Sequence, residues 1–117
     1  MARRAGEAPG HVVRGPREAP VGYSRAARVH NHAAVAGTTA AEPDGTVFGG
    51  DDGYLQARRC FEVIAAALAD AGASLPDVVR VRKFVTDITR WEEFARAHAE
   101  CLGDVRPAST MVWRWHG

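Results

Sequence analysis

The sequence predicts a single α+β domain in which two helices pack on one face of a mixed β-sheet. Three observations carry this. The chain has 117 residues, enough for one hydrophobic core. Residues 51–72 and 89–102 repeat apolar side chains at helical spacing. Short β-branched runs bounded by turn residues lie before, between and after these stretches. The order is therefore hairpin, helix, strand, helix, strand. A helix joining the hairpin to the next strand permits a right-handed crossover, so part of the sheet can be parallel.

Residues 1–20 are rich in Arg, Gly, Pro and Ala and read as a basic, partly disordered lead-in, with one short strand at His11-Val12-Val13-Arg14. Two strands then flank a tight turn at His30-Asn31-His32, where Asn tolerates positive φ. Gly37 follows the apolar residues 33–36 and allows a bulge or the close approach of another group. Pro43-Asp44-Gly45 is a turn, and Thr46-Val47-Phe48 is expected as a short strand. Asp51 and Asp52 favour the start of the first helix, whose buried stripe is Ala57, Cys60, Phe61, Ile64, Ala67, Leu68 and Ala71. Gly72 supplies the left-handed residue that closes it.

After the turn at Leu75-Pro76-Asp77, residues 78–85 form a strand with Val79, Val81 and Val85 on one face and Val78, Arg80, Arg82 and Phe84 on the other. Thr89-Arg90-Trp91-Glu92 reads as a capping box. It opens a second helix with Trp91, Phe94, Ala95, His98, Cys101 and Leu102 on one side and Gly103 as its stop; His98 is assigned to helix packing. Ala108-Ser109-Thr110-Met111-Val112 starts the last strand. Asp77 and Asp87 are expected as turn and cap residues.

Composition narrows the function classes. A formal net charge of +1 argues against a nucleic acid or anionic membrane held by bulk electrostatics, although Arg3, Arg4, Arg14, Arg17, Arg25 and Arg28 crowd the first quarter. No apolar run approaches ~18 residues, so no membrane span is predicted. No secretory h-region is visible, and a cytoplasmic location is expected. Cys60 and Cys101 lie far apart without a CxxC spacing and read as buried free thiols in a reducing compartment. His30 and His32 have no third ligand at metal spacing. Tyr23 reads either as a cleft wall or as a core aromatic, and Phe84 either as interface packing or as a substrate contact. Ser109 and Thr110 are strand residues that can also donate hydrogen bonds.

Four segments stand in a telling order: VGYSRAARV, VAGTTA, LADAGASLPDVVRVRKFVTDI and GDVRPASTMV. Together they resemble the Rid family, also called YjgF-type proteins or reactive-intermediate deaminases, over residues 22–112. The resemblance implies a chorismate-mutase-like (YjgF-type) domain assembled as a homotrimer, with small-molecule sites in clefts between subunits and no metal or cofactor. In deaminating members an arginine near the chain end grips the carboxylate of a 2-imino acid. Water attacks the C=N carbon and releases ammonia and a 2-keto acid. Such an arginine suits a carboxylate because its planar fork makes two parallel bonds.

Mapped onto this sequence, the implied site comprises Tyr23, Ala36, Gly37, Phe84, Ser109 and Thr110. Deaminating members often carry a serine where Ala36 stands. The carboxylate-binding arginine falls on Ser109, while Arg106 points elsewhere in the family pattern. The chain thus resembles a divergent member, a partner for a small carboxylate or imine-like metabolite that either hydrolyses it or only binds it. Some members are described as ribonucleases or translation inhibitors; here the near-neutral charge and the lack of an aromatic stacking platform argue against RNA. A non-catalytic, chaperone-like module is the third reading.

Relatives continue after the RPAST-x-V motif with Val-Glu-Val and a further apolar strand. This chain reads Trp113-Arg114-Trp115-His116-Gly117. Val-Trp-Arg-Trp-His-Gly can be written GTG-TGG-AGG-TGG-CAC-GG, and removing one T after the first codon gives Val-Glu-Val-Ala-Arg. The expectation is a Rid-like domain over residues 21–117 that is truncated or frame-shifted after Val112. It would have an open sheet edge, Trp113 and Trp115 on one face, and weakened trimerisation.

Overall fold

The computed structural model describes residues 10–13 and 22–114. The expectations placed on the remainder of the lead-in and on Trp115-His116-Gly117 lie outside the described residues. The elements are β1 Gly10–Val13, β2 Ala26–Val29, β3 His32–Val35, α1 Gly53–Asp70, β4 Arg80–Val85, α2 Trp91–Leu102 and β5 Ala108–Trp113. The predicted α+β class and the element order are those observed. Strand pairing is mixed: β1, β2 and β3 are antiparallel, and β4 and β5 are parallel across α2.

The β2–β3 hairpin pairs Val29 with His32 across His30 and Asn31. Its left-handed residue is His30, with φ 52°, and not Asn31. The strand expected at residues 46–48 is reduced to a single bridge between Ala41 and Val47. Asp44 is the reason: its Oδ1 accepts from Thr46 N at 3.0 Å and from Thr46 Oγ1 at 2.6 Å, which bends the chain where the strand would begin.

Helix α1 begins as its sequence dictates, with Asp52 as N-cap accepting from Leu55 N at 3.0 Å. It ends in a Schellman arrangement, Ala73 N to Leu68 O and Gly72 N to Ala69 O, with Gly72 at φ 80°. Arg28 of β2 donates from Nη1 to Ala71 O at 2.8 Å, so the hairpin satisfies a carbonyl that the helix end leaves open.

In β4 the alternation holds only from Arg80 onward. Val79 is 80% exposed, whereas Val78 packs against the core. The 3-10 turn Leu75–Asp77, closed by a reciprocal Ser74–Asp77 capping box, resets the alternation just before the ladder starts. The capping box predicted at Thr89-Arg90-Trp91-Glu92 does not form. Asp87 takes both Thr89 N and Thr89 Oγ1 to cap the 3-10 turn Ile88–Arg90, and α2 starts at Trp91 with no side-chain cap from Arg90. Of the stripe expected on α2, Leu102 is buried and Trp91 is exposed, and the fully buried Ala97 lies outside it. Gly103 keeps right-handed geometry at φ −56°, and the reversal falls on Arg106 at φ 53°.

Strand β5 does not stop at Val112. Trp113 pairs with Val85 and its Nε1 donates to Thr86 O at 3.2 Å. Two clusters form the core. Ala26, Ala67 and Ala71 seat the hairpin on the end of α1. Phe61, Ala97 and Leu102 join α1 to α2, with Val78 and Val81 beneath them. The alanines permit this close approach, so α1 serves both clusters. Arg90 ties the two helix starts together through Asp51 and a bidentate grip on Glu93, whose Oε1 also accepts from Gly53 N at 3.0 Å. Among the described residues no helix is long and apolar enough to cross a membrane.

Candidate functional site

Parallel pairing of β4 with β5 sets which side chains share a face. Val81 stands beside Ser109, and Lys83 beside Met111, on the side that carries the helices; Arg82 stands beside Thr110, and Phe84 beside Val112, on the other. Between the helix side of this pair and α2 lies an open cavity of about 340 Å³ lined by Lys83, Ala95, His98, Ser109 and Met111.

Lys83 reaches across to the neighbouring strand and donates from Nζ to Ser109 Oγ at 2.6 Å. Among the described residues no carboxylate forms an ion pair with it. Burial pushes its ammonium below the ordinary lysine pKa. A cation with one hydroxyl partner and no counter-charge is a site that an anion would complete.

His98 enters from α2, held edge-on by Phe61 with ring centroids 6.0 Å apart. Burial, and secondarily the charge of Lys83, lower its pKa from the ordinary 6.5, so the imidazole is neutral at pH 7. Its Nδ1 is buried with no protein partner. The cavity thus offers an ammonium, a hydroxyl and a neutral imidazole above the apolar Ala95 and Met111.

Of the six residues singled out in the sequence, Ser109 is the one the structure brings into this cavity. Thr110, next along the strand, points to the opposite face, where its Oγ1 accepts from Arg80 Nη2 at 2.6 Å. Phe84 lies on that same face and is 63% exposed. Tyr23 is exposed ahead of β2. Ala36 and Gly37 follow β3, and their carbonyls accept from Arg25 Nη2 at 2.8 and 2.7 Å. Gly37 has neither a left-handed φ nor a neighbour within 4 Å of where a Cβ would sit, so nothing within the described chain demands glycine there.

The sequence gives Lys83 and Arg25 no site role, and His98 a packing role alone. A signal for Lys83 was present: it interrupts the period-2 apolar register of Val81 and Val85, where a charged side chain must find a polar partner or an opening. Nothing local marks Arg25, whose partners are 11 to 13 residues away.

Comparison with known proteins agrees with this architecture. The family model described as Endoribonuclease L-PSP matches residues 16–113. A RutC family protein of Pyrococcus abyssi is 37% identical over 95 residues, which cover 80% of this chain and 74% of that protein. The crystal structure of a member of the YjgF/YER057c/UK114 family from Mycobacterium tuberculosis has a TM-score of 0.82 at 40% identity, covering 93% of this chain and 87% of that one. RidA from an Antarctic Psychrobacter has a TM-score of 0.71 at 29% identity, covering 80% of this chain and 75% of its own. With matching sequence over most of its length and a matching fold, the chain belongs to the Endoribonuclease L-PSP family, the Rid/YjgF superfamily.

Proposed function

We propose that this chain binds small carboxylate-bearing imines or enamines and hydrolyses them to 2-keto acids and ammonia, with no metal or cofactor. The supporting observation is the 2.6 Å bond from Lys83 Nζ to Ser109 Oγ at the mouth of a cavity. The resemblance puts the carboxylate-gripping arginine of deaminating relatives at Ser109. Here the positive charge comes instead from the adjacent strand and meets that position through the serine hydroxyl. An ammonium is a point charge and not a fork, so it holds the carboxylate with less directional control. An imine is intrinsically reactive toward water, so positioning and polarisation supply most of what its hydrolysis needs.

Assembly as a homotrimer belongs to the same reading. The helix-free face of β4–β5 presents Arg80, Arg82 and the exposed Phe84, with exposed Val79 preceding it, a surface that a second subunit would cover.

The test is direct. 2-Iminopropanoate is generated from alanine by an amino-acid oxidase, and its disappearance is followed by semicarbazide trapping, with and without the chain. Faster loss of the imine, abolished in Lys83→Met, is expected. No acceleration by the wild-type chain would refute the hydrolase reading. Sedimentation velocity on the same sample reports the assembly, and a monomer at working concentration would refute the trimer.

A further inference from the structure

We propose that His98 is the base of this pocket: it takes a proton from the water that attacks the C=N carbon, while Lys83 and Ser109 hold the substrate carboxylate. The assignment rests on the imine-handling reading above and gives that reading a proton acceptor.

Three features of the site lead to it. The first is placement. His98 lines the same cavity as Lys83 and Ser109 but enters from the opposite wall, on α2. The helix is anchored one residue before it by Ala97, which has no exposed surface, and four residues after it by Leu102, which is 1% exposed. The ring is further fixed by its edge contact with Phe61. A base on a rigid element, sharing a cavity with the group that grips the substrate, is the arrangement that proton transfer calls for.

The second feature is protonation state. Lys83 faces His98 from β4, Ser109 and Met111 line the cavity from β5, and Phe61 packs on it from α1; Lys83 is the charged group among them. Burial and that charge both keep the imidazole neutral. Lys83 is itself occupied as a cation, and among the described residues no carboxylate lines the cavity. His98 is therefore the lining side chain that offers a basic, unprotonated nitrogen at pH 7. With Nδ1 buried, Nε2 is the nitrogen left to meet a water. The third feature is room. A cavity of about 340 Å³ admits a small 2-imino acid together with a water, whose share of liquid volume is about 30 Å³.

The steps balance. Water forms a C–O bond to the imine carbon as His98 takes its proton. The π pair of C=N moves onto nitrogen, which receives a proton from the imidazolium. In the resulting carbinolamine the C–N bond breaks, the hydroxyl proton passes through His98 to the departing nitrogen, and ammonia and the keto acid leave. His98 ends neutral, as it began.

A consequence separates this role from a structural one. A carboxylate seated on Lys83 cancels the charge that depresses His98, so the imidazole becomes more basic in the complex. Binding must then take up protons below pH 6.5, and by linkage His98 must titrate at higher pH when ligand is present. The experiment uses the whole chain, with pyruvate as the unreactive probe and 2-iminopropanoate as the substrate. Proton NMR of the His98 ring, assigned by its loss in His98→Gln, is followed against pH with and without pyruvate. A pyruvate-induced rise in its midpoint, absent in Lys83→Met, is expected. The rate of imine loss should fall on the acid side below pH 6.5, and His98→Gln should lose about 100-fold in kcat while keeping pyruvate affinity.

An active wild-type chain with an equally active, folded His98→Gln, or with no acid limb, overturns the base role alone. A wild-type chain inert toward the imine overturns the hydrolase reading, and the base role with it. An unshifted His98 midpoint at saturating pyruvate overturns the shared site. The wild-type pH profile needs no variant, so the presence or absence of its acid limb decides the base role even if His98→Gln fails to fold.

Discussion

Leu102→Ala tests whether the α1–α2 contact carries the domain. Leu102 is 1% exposed and sits with Phe61 and Ala97 in the cluster that locks α2, and so His98, over the β4–β5 pair. The substitution removes three carbons. At about 0.8 kcal/mol each, the transfer loss alone is about 2.4 kcal/mol. Leu102 packs near the helix end, next to Val105 and Cys101, so the surroundings collapse only partly and the residual cavity brings the total to about 3–4 kcal/mol. A domain of this size holds on the order of 10 kcal/mol in all. Urea titration followed by Trp fluorescence should move the midpoint down by about 1.5–2 M with an unchanged slope, taking a slope of about 2 kcal/mol per M. Val47→Ala, at a side chain 51% exposed and outside β4–β5, is the control and should cost less than about 1 kcal/mol. A Leu102→Ala midpoint within ~0.5 M of wild type would mean that α2 is not held by this cluster.

Three further outcomes follow from the same geometry. Asp52→Ala removes the acceptor of Leu55 N and should cost about 1 kcal/mol in the same titration, with Asp52→Asn restoring most of it. Gly53→Ala should destabilise by about 1–3 kcal/mol despite alanine's helix propensity, because the new Cβ would stand 2.7 Å from Phe94 Cε1 and 3.1 Å from Glu93 Oε1; a neutral or stabilising result would mean that α2 can slide away from the start of α1. His98 makes stability depend on pH. The unfolded chain takes up its proton near the ordinary 6.5, whereas the folded, desolvated ring does so only at lower pH, so stability present above 6.5 is lost as pH falls through the folded value. Thermal melts at pH 7.5 and 5.5 should show this drop in wild type and a smaller one in His98→Gln.

What the sequence made legible was whatever depends on near neighbours. Asp52 capping α1, Gly72 ending it and the Pro43-Asp44-Gly45 turn follow from residues within a few positions of one another, and each is observed. The misplaced capping box comes from a side chain with two possible partners. Thr89 could cap α2 or be taken by Asp87, and Asp87 wins because it is two residues away in a turn already formed. Asn31 and His30 both tolerate the left-handed region to different degrees, and strand register, which propensity does not specify, puts His30 there.

The candidate site was harder to read because a β-strand separates what the sequence places side by side. Ser109 and Thr110 are consecutive and look like one pair of donors. The pleat sends Ser109 toward Lys83 and Thr110 toward Arg80, on opposite faces of the same two strands. Conversely, Lys83 and Ser109 are 26 positions apart and touch only because β4 and β5 run parallel in one register. A slip of that register by one residue would place Thr110, not Ser109, on the helix side, and would turn Met111 away from the cavity. The chemistry of the pocket is therefore a property of the register more than of any single residue. The same pleat leaves the helix-free face with Phe84, Arg80 and Arg82, two cations and an aromatic with no helix to cover them. One strand pair thus serves two ends: a pocket closed by α2 on one side and, in the proposed assembly, a subunit contact on the other. Substitutions at Lys83, Ser109 and Met111 should act on the ligand, and those at Arg80, Arg82 and Phe84 on the assembly.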